Sequence, residues 1–197
     1  MARTTLREQQ AQTARERILA AVAELLEEGD AGDLTVPDVA ARSGISLRTV
    51  YRYYPTREQL LDAAGRWIGG ELLRQDYPHS LDDVADTFQQ GCREFDRHPG
   101  LVRAMALSQL GREVRSSRRS ERLDAIRTAL RDEAGDLPDN ELRQAEAVLA
   151  YLHNMLAFTT LREEHGLDGE EVGEALGWAI RTLVADLRRR QRARRTR

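Results

Sequence analysis

The sequence contains no lysine: all 30 of its basic residues are arginine, a bias that the codon usage of a GC-rich genome produces without any functional cause. It has one cysteine, Cys92, which excludes an internal disulfide and fits a reducing compartment. Aromatic residues are scarce at 5 %, and Tyr51, Tyr53 and Tyr54 are three of them. Strand signals are nearly absent. No run of 18 apolar residues occurs, which excludes a membrane-spanning helix. The start, MARTTLREQQAQTARERI, lacks the apolar stretch of a signal peptide. The expectation is a soluble, cytoplasmic protein with no membrane partner. No phosphate-cradling glycine loop, serine elbow or zinc-protease spacing is present, so an enzyme has no positive feature here. His79, His98, His153 and His165 have no histidine partner three or four positions away and no clustered thiols, so neither a metal site nor a cofactor is expected.

What is present is helix and arginine. The chain has 197 residues, 41 % of them apolar, enough for one compact domain or two small ones sharing a junction. Charged residues make up 32 % and often alternate in sign, as on exposed helical faces. The net charge of −3 conceals an uneven distribution. Residues 42–57 hold Arg42, Arg48, Arg52 and Arg57 and no acid. Residues 188–197 carry seven arginines and no acid, whereas residues 59–187 hold 15 arginines against 24 acids. Such a chain repels phosphate except at its basic patches.

Apolar residues recur at helical spacing almost throughout. A first helix is predicted over 13–28, with Ile18, Leu19, Val22, Leu25 and Leu26 as its stripe and Gly29 as its stop. A second follows Thr35, which forms a capping box with Asp38, and Gly44 ends it. Ser46 caps a third helix from Leu47 to about Tyr53, and Pro55 closes it. Thr56 with Gln59 caps a fourth, carrying Leu60, Leu61, Ala64 and Ile68 on one face. Five more helices are predicted over 80–97, 100–111, 118–134, 138–165 and 168–190, the last two as an antiparallel pair. The tail RRRQRARRTR reads as a disordered, solubilising end, with a phosphate-binding arm as the alternative.

The second and third helices have the spacing of a helix-turn-helix. With Val50 turned inward beside Ile45 and Tyr54, the third helix presents Leu47, Arg48, Thr49 and Tyr51 near its exposed N-terminal end. Arg48 suits a bidentate contact to guanine, and the methyl groups of Leu47 and Thr49 suit thymine. Tyr51 and Tyr53 combine a flat ring with a hydroxyl for phosphate, and Arg57 adds a cation beside free amides of the next helix. The bland alternative is a helical hairpin with half-buried tyrosines and solvated arginines. The acid-free charge and the residue order argue against it.

The run TVPDVAARSGISLRTVYRYYPTREQLL resembles the DNA-binding segment of the tetracycline-repressor (TetR) family of bacterial transcription regulators, over about the first 65 residues. The resemblance implies Ser46, Leu47, Arg48, Thr49, Tyr51 and Tyr53 as the groove-facing set and Thr35, Tyr51 and Arg57 at phosphates. Arg57 stands where lysine is usual, Arg48 where a small residue is common, and Tyr54 where phenylalanine is common. It further implies an all-α protein with a three-helix DNA-binding domain at 1–54 and a helical ligand-binding and dimerisation domain at 55–197. The expected partners are a double-stranded DNA operator, a second copy through the helices near 138–165 and 168–190, and a small-molecule effector. The alternatives from other classes are a helical scaffold and an enzyme without a recognisable motif.

The dimer seam is expected on the stripe Val172, Leu176, Ala179, Ile180, Leu183 and Leu187, although the protein's own interior could equally cover it. The effector pocket is expected between Phe88, Cys92 and Phe95, Met105, and Tyr151, Asn154, Met155 and Phe158, with a filled core as the alternative. Cys92 beside Arg93 reads as a small core residue or a thiolate sensor. His153 reads as a pocket-lining or an interior histidine.

Overall fold

A computed structural model describes residues 6–28, 34–74 and 76–196, which are helical without a strand. The first helix, α1 (Leu6–Glu27), begins earlier than its apolar stripe. Residues 6–12 have good helix formers but no apolar face, so periodicity missed them. The Gly29 stop lies outside the described residues.

Local chemistry sets the next two helices as expected. Before α2 (Val36–Ser43), the Thr35 hydroxyl accepts the Asp38 amide at 3.3 Å while the Asp38 carboxylate accepts the Thr35 amide at 3.0 Å. Gly44 ends α2 at φ 66°, where a side chain would be strained. Ser46 then caps α3 (Leu47–Tyr53) through the Thr49 amide. Ile18, Val22, Val39 and Val50 are fully buried where these helices meet.

Thr56 caps α4 (Arg57–Trp67), which runs into a π-helical turn over Ile68–Leu72. The buried Leu60, Leu61, Ala64 and Ile68 face as expected. The body continues with α5 (Asp83–Arg97), α6 (Pro99–Leu107), α7 (Gln109–Val114), α8 (Ser116–Ala134), α9 (Asp139–Leu152), α10 (Met155–His165) and α11 (Gly169–Arg195). One apolar core runs from Ile18 to Leu187 without interruption. Helix α4 packs against α1 on one side and against α7 and α8 on the other.

Two helices expected in the body are each divided. The helix expected over 100–111 breaks at Ser108, whose hydroxyl accepts the Gly111 amide at 2.9 Å. Gly111 lies inside α7, where a Cβ would come within 2.6 Å of the Met105 Cα, so it serves close packing rather than a stop. The helix expected over 138–165 is two helices, because His153 leaves helical geometry and Asn154 caps α10 through the Leu156 amide. The apolar periodicity continues across that break, which hid it.

The last helix extends to Arg195, so the arginine tail is helical over most of its length. Arg188 pairs with Asp82 at 2.7 Å and with Glu133, and Arg195 pairs with Asp136. Helix α11 lies chiefly along α5, not along the preceding long helix. Val172, Leu176, Ile180 and Leu187 are therefore buried within the protein, and interior burial accounts for most of that stripe.

Candidate nucleic-acid interface and effector cavity

The turn from Gly44 to Ser46 projects α3 outward. Val50 is fully buried beneath it, while Leu47 and Tyr51 are 40 % and 44 % exposed and Arg48 is exposed. Ser46 and Thr49 are joined hydroxyl to hydroxyl at 2.9 Å, so part of their polar capacity is used in holding the start of the helix. Tyr53 is half-buried between two guanidinium groups, Arg15 of α1 at 5.1 Å and Arg52 at 5.0 Å from its ring centre. Thr35 is exposed at the start of α2.

The four arginines of residues 42–57 divide into two pairs. Arg42 forms a two-pronged ion pair with Glu28, both contacts at 2.7 Å, and so fastens α2 to α1. Arg57 donates from Nε to the Leu34 carbonyl at 2.9 Å and from Nη1 to Glu113 of α7 at 2.8 Å. The Arg57 hydrogen bond holds the Glu113 carboxyl below its ordinary range. Arg48 and Arg52 have no carboxylate partner among the described residues. Within residues 42–57 the free cationic charge thus lies on α3.

Helix α4 is held at both ends by the body. Its first residue is Arg57. At its other end the Arg118 Nη1 donates to the Arg66 carbonyl at 3.3 Å, and its Nε donates to the Tyr77 hydroxyl at 2.8 Å. Arg118 can lie there because Gly69 has no side chain; a Cβ would come within 2.6 Å of the Arg118 Nε.

Beyond Arg118 lies a cavity of about 30 Å³, lined by Phe88, Phe95, Met105, Met155 and His153 among others. That is room for about two water molecules. Of the residues expected to form an effector pocket, Phe88, Phe95, Met105 and Met155 come together here. Tyr151 and Asn154 line instead a broad neighbouring groove of about 1090 Å³. Phe158 is buried edge-on against Phe95, and Cys92 lies against α11 opposite Gly173; neither lines the cavity. Cys92 is a fully buried core residue, and that burial pushes its thiol up to about 12, away from the reactive thiolate. His153 is buried against the Phe88 ring, with Nε2 3.2 Å from the Thr87 hydroxyl. Burial, with Arg122 nearby, lowers its pKa to about 4, so the ring is neutral at neutral pH.

Sequence reasoning missed the other wall. Arg115, Arg118, Arg119 and Arg122 stand at i, i+3, i+4 and i+7, on one face of the first turns of α8, and all four line the cavity. The spacing was legible; that Arg115, Arg118 and Arg122 are partly buried beside a cavity, with Arg119 exposed at its rim, was not. Among the described residues, no group of three or more potential metal ligands occurs, and no helix is long and apolar enough to cross a membrane.

An outward helix after a left-handed glycine turn, with arginine and tyrosine on its free face and an all-helical body behind it, defines a helix-turn-helix transcription regulator. Residues 18–64 match the family model for bacterial regulatory proteins of the tetR family. The chain is 29 % identical over 174 residues to an HTH-type transcriptional repressor of Mycobacterium tuberculosis, covering 85 % of each. It is also 29 % identical over 163 residues to the nucleoid occlusion factor SlmA of Edwardsiella ictaluri, covering 73 % of this chain and 81 % of that protein. Its fold is similar to that of NalD, the secondary repressor of the MexAB-OprM multidrug efflux pump in Pseudomonas aeruginosa. The TM-score is 0.61 at 16 % identity, over 87 % of this chain and 95 % of that one. Residues 18–64 are thus a TetR-type DNA-binding segment, and the chain is a DNA-binding transcriptional regulator.

Proposed function

We propose that this regulator is a repressor, not an enzyme, that binds a double-stranded operator as a homodimer and is released by a small apolar effector. Residues 1–54 read DNA, with Arg48, Leu47 and Tyr51 at base edges and Thr35, Tyr53 and Arg57 at the backbone. Residues 55–197 take the effector and the second subunit. The observation that carries this reading is the pair of grips on α4, Arg57 to Glu113 at its start and Arg118 to the Arg66 carbonyl near its end. A change around the cavity that moves α8 is thereby transmitted to the helix that supports α3. Effector binding lowers DNA affinity by as much as the effector prefers the DNA-incompetent arrangement.

The family acts as dimers. Here the face that supports one is Val148 and Tyr151 on α9 with Trp178 on α11, exposed by 48 %, 52 % and 69 %. A dimer doubles the base pairs read, on half-sites about one helical turn (~34 Å) or more apart. Selection of binding sites from random duplex DNA tests the reading. An inverted repeat with two half-sites is the expected product; recovery of no preferred sequence counts against it.

A further inference from the structure

The cavity has an apolar floor and a cationic wall, in which Arg115, Arg119 and Arg122 have no carboxylate partner among the described residues. Helix α8 has no acidic residue in its first turn, where a helix favours one; it has arginines there instead. Like charges three and four positions apart on a helix are mutually destabilising. The Nε atoms of Arg115 and Arg122 are buried without a hydrogen-bond acceptor among the described residues. A buried guanidinium N–H left without an acceptor is costly to the fold, so such groups are ordinarily partnered. Among the described residues the Arg115 side chain makes one hydrogen bond, from Nη2 to the Ala106 carbonyl at 3.1 Å. The sole carboxylate among the described lining residues is Asp76, an exposed group that accepts the Tyr77 amide. Burial, followed by repulsion from Arg122, Arg112 and Arg119, lowers the Arg115 pKa to about 10.

These arginines also border the outer groove. Arg115, Arg119 and Arg122 line both the cavity and the groove that Tyr151 and Asn154 form. They therefore stand at the junction between a broad entry and an apolar interior, where an amphipathic molecule would leave its polar end. At about 30 Å³ the interior is too small for a metabolite-sized body as it stands, so the Phe88, Met105 and Met155 side chains must separate as it enters.

We propose that the effector is an amphipathic organic anion, with a carboxylate or phosphate head held by Arg115, Arg119 and Arg122 and an apolar body lodged against Phe88, Met105 and Met155. This rests on the effector-binding reading above and adds the charge. The head supplies acceptors to the two unpartnered Nε groups and relieves the repulsion along α8. Drawing those arginines together also displaces Arg118, one helical step away, which holds the Arg66 carbonyl at the end of α4.

The test is thermal unfolding and calorimetric binding of the full chain with decanoate, decyl phosphate and decanol, each below micelle formation and at matched ionic strength. The two anions are expected to bind at least about tenfold tighter than the alcohol, the factor for a hydrogen bond to a charged partner. Arg122→Met should remove that preference without unfolding the protein, because a thioether chain of similar length leaves no buried cation; Arg115→Met serves as the second variant. In the ligand-free protein both variants should raise the unfolding temperature. Equal binding of decanol and the anions leaves the cavity reading in place and overturns the charge inference. Binding of none of the three overturns both. A fall in unfolding temperature in both methionine variants makes the arginines structural and also overturns the inference. Whichever anion binds tighter identifies the head group.

Discussion

Arg57 and Glu113, 56 positions apart in sequence, are joined by a 2.8 Å ion pair that fastens the start of α4 to α7. The pair is partly exposed, so screening limits its contribution to stability to about 1 kcal/mol or less. Its consequence for DNA is larger, because Glu113 and a phosphate compete for one guanidinium. Glu113→Gln should tighten binding to operator and random duplex alike and steepen the salt dependence by up to about one released ion. Arg57→Ala should weaken both duplexes alike and cancel the effect of Glu113→Gln in the double variant. Salt-titrated binding of the four proteins decides it; a Glu113→Gln protein indistinguishable from the parent removes the competition.

Arg48 has a different energetic role. It is exposed on the free face of α3 and has no carboxylate partner among the described residues. Arg48→Ala should cost about 1–3 kcal/mol at the operator and relax preference at one base pair. Random duplex should lose much less. The comparison requires both duplexes at one salt concentration, and an equal loss on each would assign Arg48 to the phosphate backbone.

Trp178, at 69 % exposure, is the most exposed large apolar residue of the body. Aromatic side chains of this kind dominate interface energetics when covered. Trp178→Glu places a charge on the proposed face and should abolish the proposed dimer at micromolar concentration without loss of helical content. Sedimentation equilibrium and circular dichroism measure the two properties, and an unchanged dimer moves the interface elsewhere.

His153 makes stability depend on pH. Its folded pKa is about 4, against about 6.5 for an unfolded chain. The unfolded state therefore takes up the proton first as pH falls. Stability should decline from about pH 6.5 to about pH 4 and level off below, by up to about 3 kcal/mol. The Thr87 hydroxyl, the Phe88 ring and the Arg122 cation surround the ring; burial and Arg122 disfavour the imidazolium and outweigh a backbone hydrogen bond that favours it. His153→Gln keeps a partner for Thr87 and should remove this part of the pH dependence. Denaturant unfolding of both proteins across that range supplies the difference, and parallel curves would rule the histidine out.

The all-helical class, the ends of α2 and α3, the outward face of α3 and the TetR-type DNA-binding segment were legible in the sequence. Those features are local. A Thr35–Asp38 capping box, a left-handed Gly44 and a Ser46 cap act within three or four residues, so their chemistry is complete in the sequence. Only the tertiary structure decided which charges are free. Residues 42–57 look uniformly cationic, yet Arg42 is neutralised by Glu28, just past α1, and Arg57 by Glu113 of α7. It also decided that α11 spends its apolar stripe on α5, because a stripe records the need for burial and not the surface that meets it. The arginines of α8 show the same limit. Their spacing is plain in the sequence, but a charged helical face usually means water, and only the tertiary structure sets that face beside the cavity that Phe88 and Met105 also line. Charge and apolarity along a chain are periodic signals. The partner that each face acquires is set by contacts between distant segments, which leave no period to read.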